Sequence, residues 1–116
     1  MSKRRVVITG MGTVCALGYD LDEVYSKLLA GESGAATITR FDASQFPTQF
    51  ACDVPEGFPP DDYFSRVERK RLDRFTEFAL YAADRAVEDS QIDFETIDRS
   101  RVGSNVAAGI GGLDGI

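Results

Sequence analysis

No histidine and no tryptophan occur among the 116 residues, and there are only two cysteines, Cys15 and Cys52. Without an imidazole, this stretch cannot by itself run a mechanism that uses histidine as base, acid or ligand. The usual zinc ligand sets cannot be completed either, since the two cysteines lack zinc-site spacing. With no leader expected, they read as free thiols rather than a disulfide. Long apolar runs are also missing. The longest, Phe78 to Ala83, has six residues, where a membrane helix needs about 20. Lys3-Arg4-Arg5 resembles the basic start of an export signal, yet only Val6-Val7-Ile8 follows before Thr9 and Gly10. That run is too short for a signal peptide, and the expected compartment is the cytoplasm.

What is present describes a water-exposed α/β chain. Apolar residues make up 43% and charged residues 28%, which excludes both a disordered tail and a membrane bundle. The length suits one domain, and such a domain buries roughly two-thirds of its unfolded surface. Thirteen basic side chains face 19 acidic ones, for a net charge of −6. That balance argues against wholesale binding to nucleic acid or anionic lipid.

The pattern along the chain predicts strand, glycine turn and helix. Residues 4–9 are a β-branched run ended by Gly10-Met11-Gly12. Being apolar on successive residues, the run suits a strand covered on both faces, as in a parallel sheet. Asp20 is placed to cap a helix, with Glu23 three residues on to complete a capping box. Leu21, Val24, Leu28 and Leu29 form its apolar stripe, and Gly31 is a natural stop. Residues 31–62 hold all four prolines and read as irregular, with Phe50 to Val54 as a short edge strand. A charged helical segment is expected from Ser65 to Leu72. Asp73 then caps a second helix with the stripe Phe75, Phe78, Ala79, Ala82, Ala86 and Val87. Arg101 to Ala108 reads as another buried strand leading into Gly109-Ile110-Gly111-Gly112. Two or three parallel strands with two helices make a thin core with one sheet face bare, an arrangement seldom seen. The residues are therefore expected to be the front part of a larger protein.

Three motifs carry alternatives. Gly10-x-Gly12 between a strand and a helix is the outline of a dinucleotide-binding loop. Cys15, however, stands where the third glycine belongs, and the helix starts late, so a structural glycine turn is the preferred reading and a nucleotide-binding module the remote one. Gly109-Ile110-Gly111-Gly112 lacks the lysine and hydroxyl of a P-loop. It is either a tight turn or a place where backbone passes close to a ligand. Arg66, Arg69, Lys70, Arg71 and Arg74 lie within nine positions, either as a solvated helix face or as a dock for an acidic partner. Cys15 and Cys52 have no imidazole to lower a thiol pKa and read as small packing residues.

Taken together, these segments resemble a family. Arg4-Arg5-Val6-Val7-Ile8-Thr9-Gly10-Met11-Gly12, Leu29-Ala30-Gly31-Glu32-Ser33-Gly34 and Arg40-Phe41-Asp42 resemble the opening of the β-ketoacyl-acyl carrier protein synthases. Ser65-Arg66 through Leu72-Asp73 and Gly109-Ile110-Gly111-Gly112-Leu113 continue the likeness in the same order. The Gly-Ile-Gly-Gly form and Thr48-Gln49-Phe50-Ala51 look more like the type II elongating synthase than the type I enzyme.

The resemblance implies an α/β architecture: the N-terminal part of the layered thiolase-like fold, incomplete here, with residues 1–116 as a partial synthase domain. It implies decarboxylative condensation of malonyl-carrier with acyl-carrier protein in fatty acid elongation, by a homodimer with no metal and no separate cofactor. The partner is acyl carrier protein bearing phosphopantetheine-linked acyl and malonyl groups. The family's catalytic cysteine and both histidines are expected past residue 116, so these residues alone should be inactive. Lys70 and Arg71 match basic positions that contact the carrier. Val67 stands where the family has a third basic residue, with Arg66 or Arg69 able to compensate. Ile110 matches the residue that lines and partly gates the acyl pocket. A polyketide ketosynthase, or its chain-length partner, shares these N-terminal motifs and is the alternative within the fold.

Overall fold

The computed structural model describes residues 3–112, which divide into two units. Thr13–Phe64 form one, and residues 3–12 with residues 65–112 form the other.

In the first unit, a tight turn precedes the helix. Cys15 and Gly18 exchange backbone hydrogen bonds of 2.9 and 3.1 Å across Ala16-Leu17, and Gly18 takes a positive φ of 148° that favours glycine. Helix α1 follows at Leu21–Leu29, with the Asp20 carboxylate accepting from the Glu23 amide at 2.9 Å. The reciprocal half of the expected capping box is replaced. Glu23 instead binds Lys27, one turn on, at 2.5 Å, while Lys27 Nζ also donates to the Leu17 carbonyl at 2.8 Å. The hydrogen bond that Lys27 donates to Glu23 leads the causes that raise the Lys27 pKa. At the far end Gly31, at φ 72°, and Glu32 donate back to Leu28 and Lys27, closing a Schellman stop. The apolar stripe is only partly covered: Val24 is buried and Leu21 half-buried, but Leu28 and Leu29 are exposed.

The stretch from 31 to 62, expected to be irregular, contains a small antiparallel sheet. Strand β1 is Ala36–Thr37 and β2 is Phe50–Ala51, with Ala36 opposite Ala51 and Thr37 opposite Phe50. The edge strand is thus shorter than Phe50 to Val54, and its partner was not foreseen. Arg40 and Asp53 pair across the hairpin at 3.2 Å. Phe58, 5% exposed, meets Tyr19 edge-on with ring centroids 5.3 Å apart. With Val24, Ala43 and Phe64 it forms the buried apolar set of this unit.

The second unit is organised by one long helix. Ser65 and Glu68 complete a reciprocal capping box (Ser65 N–H to Glu68 Oε2 2.9 Å, Glu68 N–H to Ser65 Oγ 3.3 Å) that starts α2, Arg66–Arg69. The predicted helical segment to Leu72 stops sooner because Arg71 and Leu72 both donate to the Glu68 carbonyl, closing the turn before α3 begins. Helix α3 spans Arg74–Ser90 with Asp73 at its N-cap position, although the Asp73 side chain makes no capping hydrogen bond. Its buried residues are Glu77 and Tyr81, outside the expected stripe. Phe78, Ala79, Ala82 and Ala86 are half-buried, and Phe75 and Val87 are exposed. Glu77 is held by Arg74 at 3.2 Å, the pairing that a buried carboxylate requires.

The glycines of the first motif explain themselves here. A Cβ on Gly12 would collide with the Ala82 carbonyl, and one on Gly10 with the Ala86 carbonyl and the Ser90 amide. The backbone therefore crosses α3 at its alanine positions, which only hydrogen side chains allow. Between them, the Met11 amide donates to the Asp89 carboxylate at 2.8 Å. A carboxylate on that amide repels a pyrophosphate, and helix fills the space a dinucleotide would need. The glycines serve packing, although as a helix crossing rather than as a turn.

The two predicted buried strands are not strands among the described residues. Residues 4–9 form no regular element and no ladder, with Val6 92% and Ile8 82% exposed. A 3₁₀ turn, Arg99–Arg101, capped by Asp98, leads into an equally unpaired stretch with Val102 and Val106 exposed. A strand is made by its neighbours' hydrogen bonds, and no described segment supplies them here. The parallel sheet is therefore corrected to one two-stranded antiparallel sheet in the other unit.

Candidate functional site

The basic cluster resolves into two groups. Arg74 is committed within its own helix, paired with Glu77 and stacked over Phe78 with its guanidinium carbon 5.1 Å from the ring centroid. Arg69 is half-buried. Arg66, Lys70 and Arg71 are exposed and take part in no ion pair among the described residues. They include Lys70 and Arg71, which the resemblance assigns to the partner, and of the two residues able to compensate at Val67, Arg66 is exposed and Arg69 is not. Val67, at the departure from the family pattern, is also exposed.

Local order at this patch comes from the Ser65–Glu68 capping box. Hydrogen bonding by Ser65, through its side chain and then its backbone, holds the Glu68 carboxyl below its usual pKa. Lys70 occupies the C-cap of α2 with helical backbone angles. A cation there also suits the negative end of the helix dipole.

Ile110 belongs to a loop seated on the N-terminal end of α3. Gly111 takes φ 79°, and a Cβ on it would stand 3.3 Å from two ring carbons of Phe75. A Cβ on Gly112 would collide with the Asp73 carboxylate. Ile110 itself is 80% exposed. Leu113, which ends the recognised stretch, lies outside the described residues. The loop thus meets, at Asp73, a residue two positions after Arg71 and three after Lys70. Sequence reading missed Asp73 and Phe75 as the seat of this loop, taking one as a helix cap and the other as core. The available signal was the demand of adjacent glycines for close backbone approach.

Cys15 and Cys52 are free thiols, Cys15 half-buried and Cys52 exposed. The exposure of Cys52 corrects its reading as a packing residue. Among the described residues, no group of three or more metal-binding side chains comes together, and no helix is long and apolar enough to cross a membrane.

Comparison with known proteins matches residues 3–115 to the family described as beta-ketoacyl synthase, N-terminal domain. The 3-oxoacyl-[acyl-carrier-protein] synthase 2 of Coxiella burnetii is 44% identical over 113 residues, covering 97% of this chain and 27% of that protein. The chloroplastic 3-oxoacyl-[acyl-carrier-protein] synthase I of Arabidopsis thaliana is 43% identical over 114 residues, covering 96% and 24% respectively. Among solved structures, the ishigamide ketosynthase/chain length factor superposes with a TM-score of 0.69 at 37% identity, over 81% of this chain and 23% of that one. The chain spans about a quarter of the length of the curated relatives it matches. On the family match across nearly its whole length, this chain belongs to the β-ketoacyl synthase family.

Proposed function

We propose that residues 1–116 are the N-terminal portion of a 3-oxoacyl-acyl carrier protein synthase whose whole catalyses decarboxylative condensation in fatty acid elongation. The family match over residues 3–115 carries this reading. In that reaction an acyl group passes from its carrier to a cysteine thiolate. Malonyl-carrier loses CO2, and the resulting carbanion attacks the acyl thioester carbonyl, with the cysteine thiolate leaving. A thiolate is suited to thioester exchange, and imidazoles with backbone amides stabilise the developing enolate and oxyanion. None of those groups is assigned to this stretch, which has no histidine. The type II elongating form, a homodimer, and the cytoplasm complete the reading, although two relatives are named chloroplastic.

Within the whole, these residues would bind rather than react. Arg66, Lys70 and Arg71 supply exposed positive charge for an acidic carrier, which raises encounter rates and selects the partner by charge. Ile110 would line the acyl pocket, where each buried methylene contributes about 0.8 kcal/mol. The extended apolar segments around Val6 to Ile8 and Val102 to Val106 would become strands of the layered sheet once further chain supplies their neighbours.

The docking role is tested by Lys70→Glu with Arg71→Glu in the full-length protein. The expected result is a KM for carrier-bound substrate raised about tenfold or more, with smaller effect on a short acyl-pantetheine substrate that carries no protein. An unchanged KM for the carrier-bound substrate removes the docking claim. A second reading, a polyketide ketosynthase or chain-length factor, is favoured by the ishigamide likeness. A residue other than cysteine at the nucleophile position of the full-length protein would select the chain-length factor.

A further inference from the structure

The geometry points to Phe75 as a positioning residue for Ile110, its ring supporting the glycine loop and thereby setting which acyl chains the pocket accepts. The observation is local and does not depend on the family. Gly111 is held in the left-handed region at φ 79°. Its Cα faces the Phe75 ring so closely that an added Cβ would lie 3.3 Å from two ring carbons. Backbone pressed against the distal end of an aromatic ring loses a direction of movement, because groups packed at van der Waals contact transmit displacement. Ile110 is the residue immediately before this contact, and its own side chain is 80% exposed with little of its own packing to fix it. Its placement therefore comes from its neighbours on the loop. Gly112 adds a second point of contact at the Asp73 carboxylate, which explains why Asp73 stands at the helix N-cap position without capping it.

Phe75 is poorly accounted for as a core residue. It lies in the first turn of α3 and is exposed, whereas the buried positions of that helix are Glu77 and Tyr81. Its ring is spent on the loop. Removing it leaves Gly111 without its backing and lets the loop settle elsewhere, carrying Ile110 with it.

The test uses the full-length protein and rests on the reading of Ile110 as a pocket residue. Ile110→Phe, Phe75→Ala and Phe75→Leu are compared by the chain-length distribution of their products, by the KM for carrier-bound malonyl substrate, and by the methyl resonances of Ile110. Ile110→Phe is expected to shorten the accepted chains. Phe75→Ala is expected to change the ratio of long to short products by about tenfold, the scale on which a hydrophobic pocket discriminates small differences in size. The malonyl-carrier KM should stay near the parent value and the Ile110 methyls should shift. Phe75→Leu, which keeps bulk and protects folding, should move both readouts the same way but less. If Ile110→Phe alters the distribution while both Phe75 variants keep the parent distribution, or lower all chain lengths by one factor, the positioning role is overturned and the pocket reading stands. If Ile110→Phe alters nothing, the pocket reading falls. Unmoved Ile110 methyls in the Phe75 variants then overturn the positioning role as well.

Discussion

The two units of the chain close in different ways. Thr13–Phe64 settles its polar backbone and much of its apolar surface within a short span. A capped helix, a two-stranded hairpin and the Tyr19–Phe58 pair all lie within about 50 residues of sequence. The other unit joins residues 3–12 to residues 65–112 and relies on one helix, α3, against which the Gly10–Gly12 crossing and the Gly111–Gly112 loop both press. Its most apolar extended segments remain bare. Local rules are satisfied where partners are near in sequence, and exposure remains where the sequence predicted strands with distant partners.

That contrast can be broken at its strongest point first. Phe58→Ala removes a ring that is 5% exposed and should destabilise the 13–64 unit by about 3–5 kcal/mol. Val6→Ser, at a side chain 92% exposed, should change stability of the same 116 residues by less than about 0.5 kcal/mol. Denaturant midpoints with hydrogen exchange of the two units measure both, and a large Val6 effect would show that the segment is covered after all. Gly12→Val comes next. Its side chain would meet the backbone of α3 at Ala82, and the strain should destabilise the α3 unit by about 1–3 kcal/mol, read as early exchange of α3 amides. An unaltered exchange pattern would mean that the crossing is loose.

The smallest effect is a titration. Glu68 has a folded pKa below its ordinary value of 4.5 because Ser65 binds the ionised form. A lowered carboxyl pKa adds stability that is present above the unfolded value and lost as pH falls through the folded one. The Ser65 amide resonance should therefore follow the Glu68 carboxyl, with a midpoint under 4.5. A midpoint at or above that value would contradict the reciprocal cap.

The parts legible in sequence were those fixed by neighbours a few residues away. Asp20 and Gly31 mark helix ends because capping needs only short-range hydrogen bonds, whereas the Ser65–Glu68 capping box went unread although Ser65 was read as a helix start. Gly10 and Gly12 announced close approach, although only the fold shows that α3 is what they approach. The buried face of α3 was misread because Glu77, buried through its pairing with Arg74, interrupts any stripe chosen by apolar residues alone. Strand β1 at Ala36–Thr37 escaped notice because two small residues carry no alternation, and its existence depends on Phe50–Ala51 across the hairpin. At the candidate site, charge density marked the five-cation cluster Arg66, Arg69, Lys70, Arg71 and Arg74, while which of them are exposed is visible only in the fold. The seat of the Ile110 loop on Asp73 and Phe75 was not, since it joins residues more than 30 positions apart.

The most direct test is a condensation assay of the full-length protein beside the 116-residue chain, each supplied with acyl-carrier and malonyl-carrier protein and read by mass spectrometry of the carrier-bound product. The full-length protein should release CO2 and form the 3-oxoacyl carrier extended by two carbons, while the shorter chain forms none. Failure of the full-length protein to make that product, or its formation by the 116 residues alone, would contradict the assignment.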